Sequence, residues 1–354
     1  MKNLLTAILL AATGTINAQT ETIQYRPGIT PEGAVYFLPK TAIRIAVQVE
    51  KTTYTPGDFC QYAQKYLRIN DVQQKPSESY KVTKIDVITE GFADKAKGFA
   101  VKFDAKTSAT NVVLSDEGVL LAINADAQEV DKPKEFTPAP KLKQKSPRDF
   151  MSSEVLSASS TAKMAELTAL DIYEIRESRN LLTRGQADFM PKDGAQLRLM
   201  LENLETQDKA LTQLFTGIIT KDTTEHIFTI IPEKDFSKQI LFRLSQKLGI
   251  VDSDDLAGAP YYIDIKDLNI LPAREPVPAN KKVEKNGVFV NVPGKIRMSI
   301  YKGNELTYTC ETMAAQYGHT EFLSGDLFNK RYTTHLTLNP VTGAIMKLDA
   351  EMPK

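Results

Sequence analysis

The sequence predicts an α+β fold: two β-rich units, each a sandwich or partly open barrel, with a long antiparallel helical hairpin between them. Three observations lead there. Period-two runs rich in Val, Ile, Phe and Tyr dominate both ends of the chain. Two runs near the middle carry apolar residues at helical spacing, and Gly, Pro, Asn and Asp punctuate the remainder. At 354 residues the chain is long enough for about two domains, each with a core of its own.

The first eighteen residues stand apart. Met1-Lys2-Asn3 is a short basic start, Leu4 to Ala12 an apolar run, and Thr13 to Ala18 a small-residue end. That order is the layout of a secretory signal peptide over residues 1–18, with Ile16 and Ala18 at the positions read by the peptidase. The apolar run is about half of the ~20 residues that a membrane-spanning helix needs, so a retained anchor is the weaker reading. The first cysteine is Cys60, so lipid attachment at a new amino-terminal Cys is excluded. No other segment is long and apolar enough to span a bilayer. The mature chain is expected to be periplasmic or otherwise exported, and not a lipoprotein.

Residues 19–130 form the N-terminal β-rich unit. Ile43, Ile45, Val47 and Val49 alternate with Arg44, Ala46 and Gln48, the signature of a strand with one buried face. Thr55-Pro56-Gly57-Asp58 then breaks the chain, and Phe59, Ala63, Tyr66 and Leu67 fit a short helix. Tyr80 to Ile88 and Phe99 to Phe103 alternate again. Val112 to Leu114 and Val119 to Ile123 flank Ser115-Asp116-Glu117-Gly118 as a hairpin. Residues 131–150 hold Pro133, Pro138, Pro140 and Pro147 among five lysines, a composition that buries little and extends the chain as a linker. Those lysines are a solvated spacer or a basic anchor for a partner.

Residues 151–217 read as the hairpin of helices. Ala165, Ala169, Ile172, Ile175 and Leu182 share one face of the first helix, which Gly185 stops. Asp193 with Gln196 three residues on starts the second, and Leu197, Leu201, Leu204, Leu211 and Phe215 follow down one face to Gly217. The leucine stripe is expected to pack against Ile172, Ile175 and Leu182 or a neighbouring sheet, with docking of a partner as the other reading. Residues 218–354 form the C-terminal β-rich unit of eight short strands: Ile227–Ile231, Ile240–Leu244, Tyr261–Ile265, Val288–Val292, Lys295–Tyr301, Leu306–Thr312, Tyr332–Leu338 and Ala344–Leu348.

A faint internal repeat runs through both β-rich units. Gly33, Val35, Pro39 and Ile43-Arg44-Ile45 resemble Gly287, Phe289, Pro293 and Ile296-Arg297-Met298, and each set is followed by a hairpin, Thr110 to Asn124 and Thr334 to Asp349. Duplication of a small β-domain explains this, and so does coincidence between β-sheet sequences.

Chemistry is sparse. With 44 basic and 44 acidic side chains there is no electrostatic case for a nucleic-acid partner. The three histidines, His226, His319 and His335, have no helical pair spacing for zinc and no nucleophile elbow beside them. Asp252, Asp254 and Asp255 before Gly258 gather carboxylates, but their spacing is that of a turn rather than of a calcium loop. Cys60 and Cys310 sit in different units, and two separate core-facing thiols are expected rather than a bridge. Accordingly no catalytic, cofactor-binding or metal-ligating residue is assigned, and no cofactor is expected.

Several short stretches together resemble a family of exported Bacteroidetes proteins known as domain of unknown function 4831. They are Tyr54-Thr55-Pro56-Gly57, Tyr62-Ala63 and Lys65-Tyr66-Leu67; Ile175-Arg176-Glu177-Ser178-Arg179; Pro191-Lys192-Asp193-Gly194; and Leu214-Phe215 with Gly217. Further along the chain come Leu241-Phe242-Arg243, Asp254-Asp255-Leu256 with Gly258 and Pro260, Val292-Pro293-Gly294-Lys295, Ala315-Gln316-Tyr317-Gly318 and Asn339-Pro340-Val341-Thr342-Gly343. The resemblance implies export from a Gram-negative cell and brings no reaction with it. The expectation is a non-enzymatic interaction or assembly module of the cell envelope, its partner an envelope protein or surface component. The alternative is a hydrolase of cell-wall or glycan material using dispersed carboxylates. If the leader is cleaved as read, mass spectrometry of the protein from its native envelope will find an unacylated amino terminus at or near Gln19; a chain starting at Met1, or one carrying lipid, overturns the address.

Overall fold

Strict alternation of β-branched and polar residues makes a strand only where a neighbouring layer covers the apolar side, and the fold supplies that cover in three antiparallel sheets. The computed structural model describes residues 21–24, 34–102, 111–128, 134–140, 146–272, 287–328 and 333–351. The leader 1–18, Gly33, Phe103, Tyr332 and the linker stretches 131–133 and 141–145 lie outside the described residues. In chain order the first elements are β1 (Glu21–Gln24), β2 (Ala34–Thr55), α1 (Ala63–Leu67), β3 (Ser77–Lys102), β4 (Val112–Leu114) and β5 (Leu120–Ile123). The helical region holds α2 (Ser153–Ser157), α3 (Thr161–Arg184) and α4 (Gly194–Thr216). Then come β6 (Ile218–Ile230), β7 (Phe236–Ser245), β8 (Gly249–Val251), β9 (Ala259–Asp267), β10 (Gly287–Lys302), β11 (Glu305–Ser324), β12 (Thr333–Leu338) and β13 (Ile345–Glu351). Strand makes up 50% and helix 24%, which places the chain in the mixed class.

The sheets run β1-β3-β2-β6, β11-β10-β9-β7-β8 and β13-β12-β5-β4. Pairing crosses the helical region twice. β6 adds to β2 along its length from Ile43↔Ile230 to Thr55↔Ile218, and β12 joins β5 at Leu336↔Ile123. Ile43, Ile45, Val47 and Val49 of β2 share one core with Phe242 and Leu244 of β7, Tyr261, Ile263 and Ile265 of β9, and Ile296, Met298 and Ile300 of β10. Phe228, Phe242 and Tyr261 stack through this core at centroid separations of 5.2 and 4.4 Å. Between Arg44 and Glu50 the even-numbered residues of β2 face away from it, and the two charged ones pair as ions: Arg44 lies 3.1 Å from Glu90, and Glu50 takes Lys81 at 3.1 Å and Lys221 at 3.4 Å. A second core gathers Tyr36 and Leu38 of β2, Leu120 and Ile123 of β5, Val288 and Val290 of β10, and Leu336 and Leu338 of β12.

Strands are longer and fewer breaks end them than the sequence predicts. Tyr80–Ile88 and Phe99–Phe103 read as separate runs, and so do Val288–Val292 and Lys295–Tyr301; each pair belongs to one continuous strand, β3 and β10, as far as described. The interruptions are bulges, which bend a ladder without ending it. Between Phe37↔Gly98 and Pro39↔Ala93, residues 94–97 stand opposite Leu38 alone; between Val292↔His319 and Gly294↔Ala314, residues 315–318 stand opposite Pro293 alone. β8, only three residues, escapes period-two analysis altogether.

These matching bulges make the repeat structural. β2–β3 and β10–β11 are both long antiparallel pairs in which four residues stand opposite one at nearly the same step. Each is followed by a hairpin whose turn glycine docks back on the first strand of its own repeat. Phe37 N–H donates to Gly118 O at 2.9 Å, and Asn291 N–H, at the corresponding position, donates to Gly343 O at 3.1 Å.

The two repeats are tied by buried polar contacts. Thr41, fully buried, donates from its N–H to Gln316 Oε1 at 3.0 Å, and Gln316 Nε2 returns a bond to Thr41 O at 2.8 Å. Thr41 Oγ1 donates to Val341 O at 3.2 Å and accepts from Ala315 N at 3.1 Å. Asn291 Nδ2 bridges Pro39 O at 3.1 Å and Thr342 O at 3.0 Å. Tyr36 Oη accepts from Phe289 N at 2.8 Å, and burial pushes its phenol pKa well above the usual value. Gly318 is needed where β10 and the bulge touch, because a Cβ there would sit 1.7 Å from Val292 O. Replacing Asn291→Ala strands two buried carbonyls, so thermal or urea unfolding should show a loss of roughly 2–4 kcal/mol; a loss under about 0.5 kcal/mol, the usual surface scatter, would remove this contact from the scaffold.

Candidate functional site: the free end of the helical hairpin

The hairpin forms as its spacing predicts, and among the described residues its contacts with the body gather at its root and inner half. Ser160 caps α3 by accepting from Lys163 N, and Gly185 ends it in the left-handed region at φ 70°. Asp193 caps α4, its carboxylate accepting from Gln196 N at 2.7 Å. Ala165, Ala169 and Ile172 on α3 and Leu211, Leu214 and Phe215 on α4 are buried against Phe59, Ala63 and Leu67. The Phe59 and Phe215 rings lie 5.4 Å apart. Two close approaches seat this root. A Cβ on Gly57 would meet Leu214 O at 2.2 Å, and Tyr54 Oη donates to Gln73 O at 2.7 Å beside Gly217.

Halfway along, an ion pair stitches the helices. Arg176 Nε donates to both Asp208 oxygens at 3.0 and 3.2 Å, and Arg176 Nη2 reaches Thr212 Oγ1 at 3.2 Å. Beyond it, Leu182 is the one fully buried residue of α3, and no residue of α4 before Ala210 is buried. Leu197, Leu201 and Leu204 are half-buried between the helices. The turn carries Phe189, 90% exposed, and Met190, 43% exposed, with Leu199 and Met200 exposed on the first turns of α4. Around them stand Arg179, Arg184, Lys192 and Arg198 against Asp188 and Asp193.

The titratable residues singled out in the sequence are dispersed. His226 lies on β6 with Nε2 3.3 Å from Thr224 Oγ1, and His335 on β12 bonds through Nδ1 to Asn124 O. Cys60 and Cys310 are free and half-buried, and burial pushes the Cys310 thiol up, away from reactive thiolate. Leu306, four residues before Cys310 on the same strand, is exposed at the strand end. The Asp252–Gly258 loop is a turn held by Arg243, whose guanidinium donates to Ser253 O at 2.7 Å and Gly258 O at 3.1 Å, while Asp255 Oδ1 accepts from Ala257 N at 2.8 Å. Among the described residues no group of three or more His, Cys, Asp or Glu is placed to hold a metal ion.

One cleft of about 250 Å³ does draw several such groups together, and period-two patterning gave no signal for it because the β11 bulge builds it. It is lined by Asp267, Asn269, Gly294, Tyr317 and His319. The Tyr317 hydroxyl is buried without a hydrogen-bond partner among the described residues, and its pKa is pushed up to about 12 by burial and then by the Asp235 and Asp267 carboxylates. The phenol therefore stays protonated, a donor rather than a base. Both carboxylates already serve the loop, Asp235 Oδ1 accepting from Asp267 N at 3.0 Å and Asp267 Oδ1 from Asn269 N at 2.8 Å. A larger cleft of about 510 Å³ on the outer face of β2, lined by Arg44, Gln48, Asp86 and Glu225, receives half-buried Phe136 from the proline-rich segment.

Fold and surface together define a mixed α/β protein of three antiparallel sheets from which a helical hairpin extends. A family described as a domain of unknown function (DUF4831) matches residues 32–346, and the chain belongs to that family. No curated protein and no solved structure matches it. No helix among the described residues is long and apolar enough to cross a membrane, a statement that does not extend to strands. The half-buried stripe sets the energetics of the hairpin: Leu201→Ala should cost about 1–2 kcal/mol, below the ~2–5 kcal/mol expected for Ile172→Ala at the root. Equal losses in chemical denaturation would mean that the outer half is packed as tightly as the root.

Proposed function

We propose that the protein is an exported cell-envelope component that works as a non-enzymatic interaction or assembly module, with the free end of the helical hairpin as its contact surface. The observation that carries this reading is the exposure of Phe189, Met190, Leu199 and Met200 at the end of an element whose contacts with the body, among the described residues, lie in its inner half. Large exposed apolar side chains gathered at one extremity mark contact sites, whereas singly scattered ones do not. The β-rich body serves as the scaffold. The core shared by β2 with β7, β9 and β10 supports a sandwich-like layering of the first two sheets. The leader and the absence of a cysteine near it support export without a lipid anchor.

A second reading, hydrolysis of cell-wall or glycan material, draws on the cleft where Asp267 and Asp235 flank Tyr317. It asks the carboxylates to act while they cap backbone N–H groups, which is why it ranks second. The readings separate in one experiment. Tagged mature protein is incubated with envelope fragments stripped of peripheral proteins, and retention is compared for wild type, Phe189→Ser with Met190→Ser, and Asp267→Asn. The module reading expects the double variant to be released while its melting temperature stays unchanged, with Asp267→Asn retained. Retention of the double variant at wild-type level sinks the hairpin end as the contact surface, and glycan release abolished by Asp267→Asn establishes the enzyme.

A further inference from the structure

We propose that the surface met by the hairpin end is an anionic lipid bilayer, into whose headgroup region Phe189 and Met190 insert. This rests on the hairpin end being the contact surface and names the chemistry of what it contacts. The argument is the order of side chains along the hairpin axis. Outermost is the turn with Phe189 almost fully exposed and Met190 beside it. About one helical turn behind lie Arg184, in the last turn of α3, and Arg198, in the second turn of α4, with Lys192 between the helices. Leu199 and Met200 lie exposed at that same level. An apolar apex followed within roughly 5 Å by a basic collar matches the depth profile of a bilayer surface, where rings and thioethers reach the acyl boundary and Lys and Arg stay at the phosphates.

The charge balance agrees. Between Arg179 and Arg198 there are four basic and two acidic side chains, in a chain whose totals are equal. Of the two acids, Asp193 is engaged in capping α4, which leaves Asp188 as the one carboxylate of the turn with no hydrogen-bond or ion-pair partner among the described residues. Arg184 and Lys192 are both exposed and have no ion-pair partner among the described residues, so their charge faces outward, while Arg198 lies 3.7 Å from Glu202. A protein groove accepting Phe189 would not need this collar, whereas phosphate headgroups do.

The test is co-sedimentation of the mature protein with vesicles of phosphatidylcholine alone and of phosphatidylcholine mixed with phosphatidylglycerol. Binding is expected to the mixed vesicles only and to weaken with salt. Phe189→Ser with Met190→Ser, and separately Arg184→Glu with Lys192→Glu, should each lower the bound fraction by roughly tenfold or more while the circular dichroism and melting temperature match wild type. Equal binding to both vesicle types, no binding to either, or binding unchanged in both double variants overturns the lipid assignment. If vesicles fail while envelope fragments still retain the protein through Phe189 and Met190, the module reading survives and the surface is not lipid.

Discussion

The contacts that Thr41 and Asn291 make across the repeats are the constraint on which the β architecture depends. Two long strand pairs with period-two apolar faces have many acceptable registers, since a slip by two residues keeps every apolar side chain on the core side. Directional bonds remove that freedom. Thr41 is fixed at N, O and Oγ1 by Gln316, Val341 and Ala315, and Asn291 spans Pro39 and Thr342. All of these groups sit in low dielectric, where a made bond is worth more and a missing one costs more. The bulge at 315–318 exists to reach this point: without its extra residues Gln316 would lie within the ladder instead of across from β2. Among the described residues Asn291 Oδ1 has no hydrogen-bond partner.

The helical hairpin follows a different logic, graded along its length. At the root, aromatic burial and two glycine approaches hold it; at the middle, the Arg176–Asp208–Thr212 bonds hold the helices to each other rather than to the body. Past that point the helices rely on half-buried leucines and on their caps. The inner half is therefore coupled to the sheets, and the outer half is a lever whose surface can change without disturbing them.

Local features were legible in the sequence and distant pairing was not. Asp193, Gly185 and Gly217 act within one or two turns of where they stand, so the end of α3 and both bounds of α4 could be read almost to the residue, whereas the Ser160 cap that starts α3 was not singled out. The alternation at Ile43 to Val49 named the buried face of β2 correctly for the same reason. But nothing in a period tells a strand which partner it takes, and the apolar edges of β6 and β12 carry no mark that selects β2 and β5. Val292 to Lys295, Ala315 to Gly318 and Asn339 to Gly343 look like unrelated short stretches; they converge on one polar cluster only once the chain is folded. The exposed hairpin end was half legible: Phe189 and Met190 follow the first helix's stop, yet their exposure depends on how little of the hairpin the body covers.

Interleaving has a kinetic consequence. β2 waits for β6, which follows it by more than 160 residues, and β5 waits for β12, which follows by more than 200. A chain that emerges amino terminus first therefore presents β2 with one long open edge until β6, which ends at Ile230 of the 354 residues, has arrived. Such non-local closure is slow and leaves strand edges available to other chains in the meantime. α3 and α4 are neighbours in sequence and pack on each other, so the helical hairpin can form early and is the segment suited to bring β6 back beside β2. Yield at high expression should be limited by capture of these unclosed sheets rather than by the stability of the finished protein.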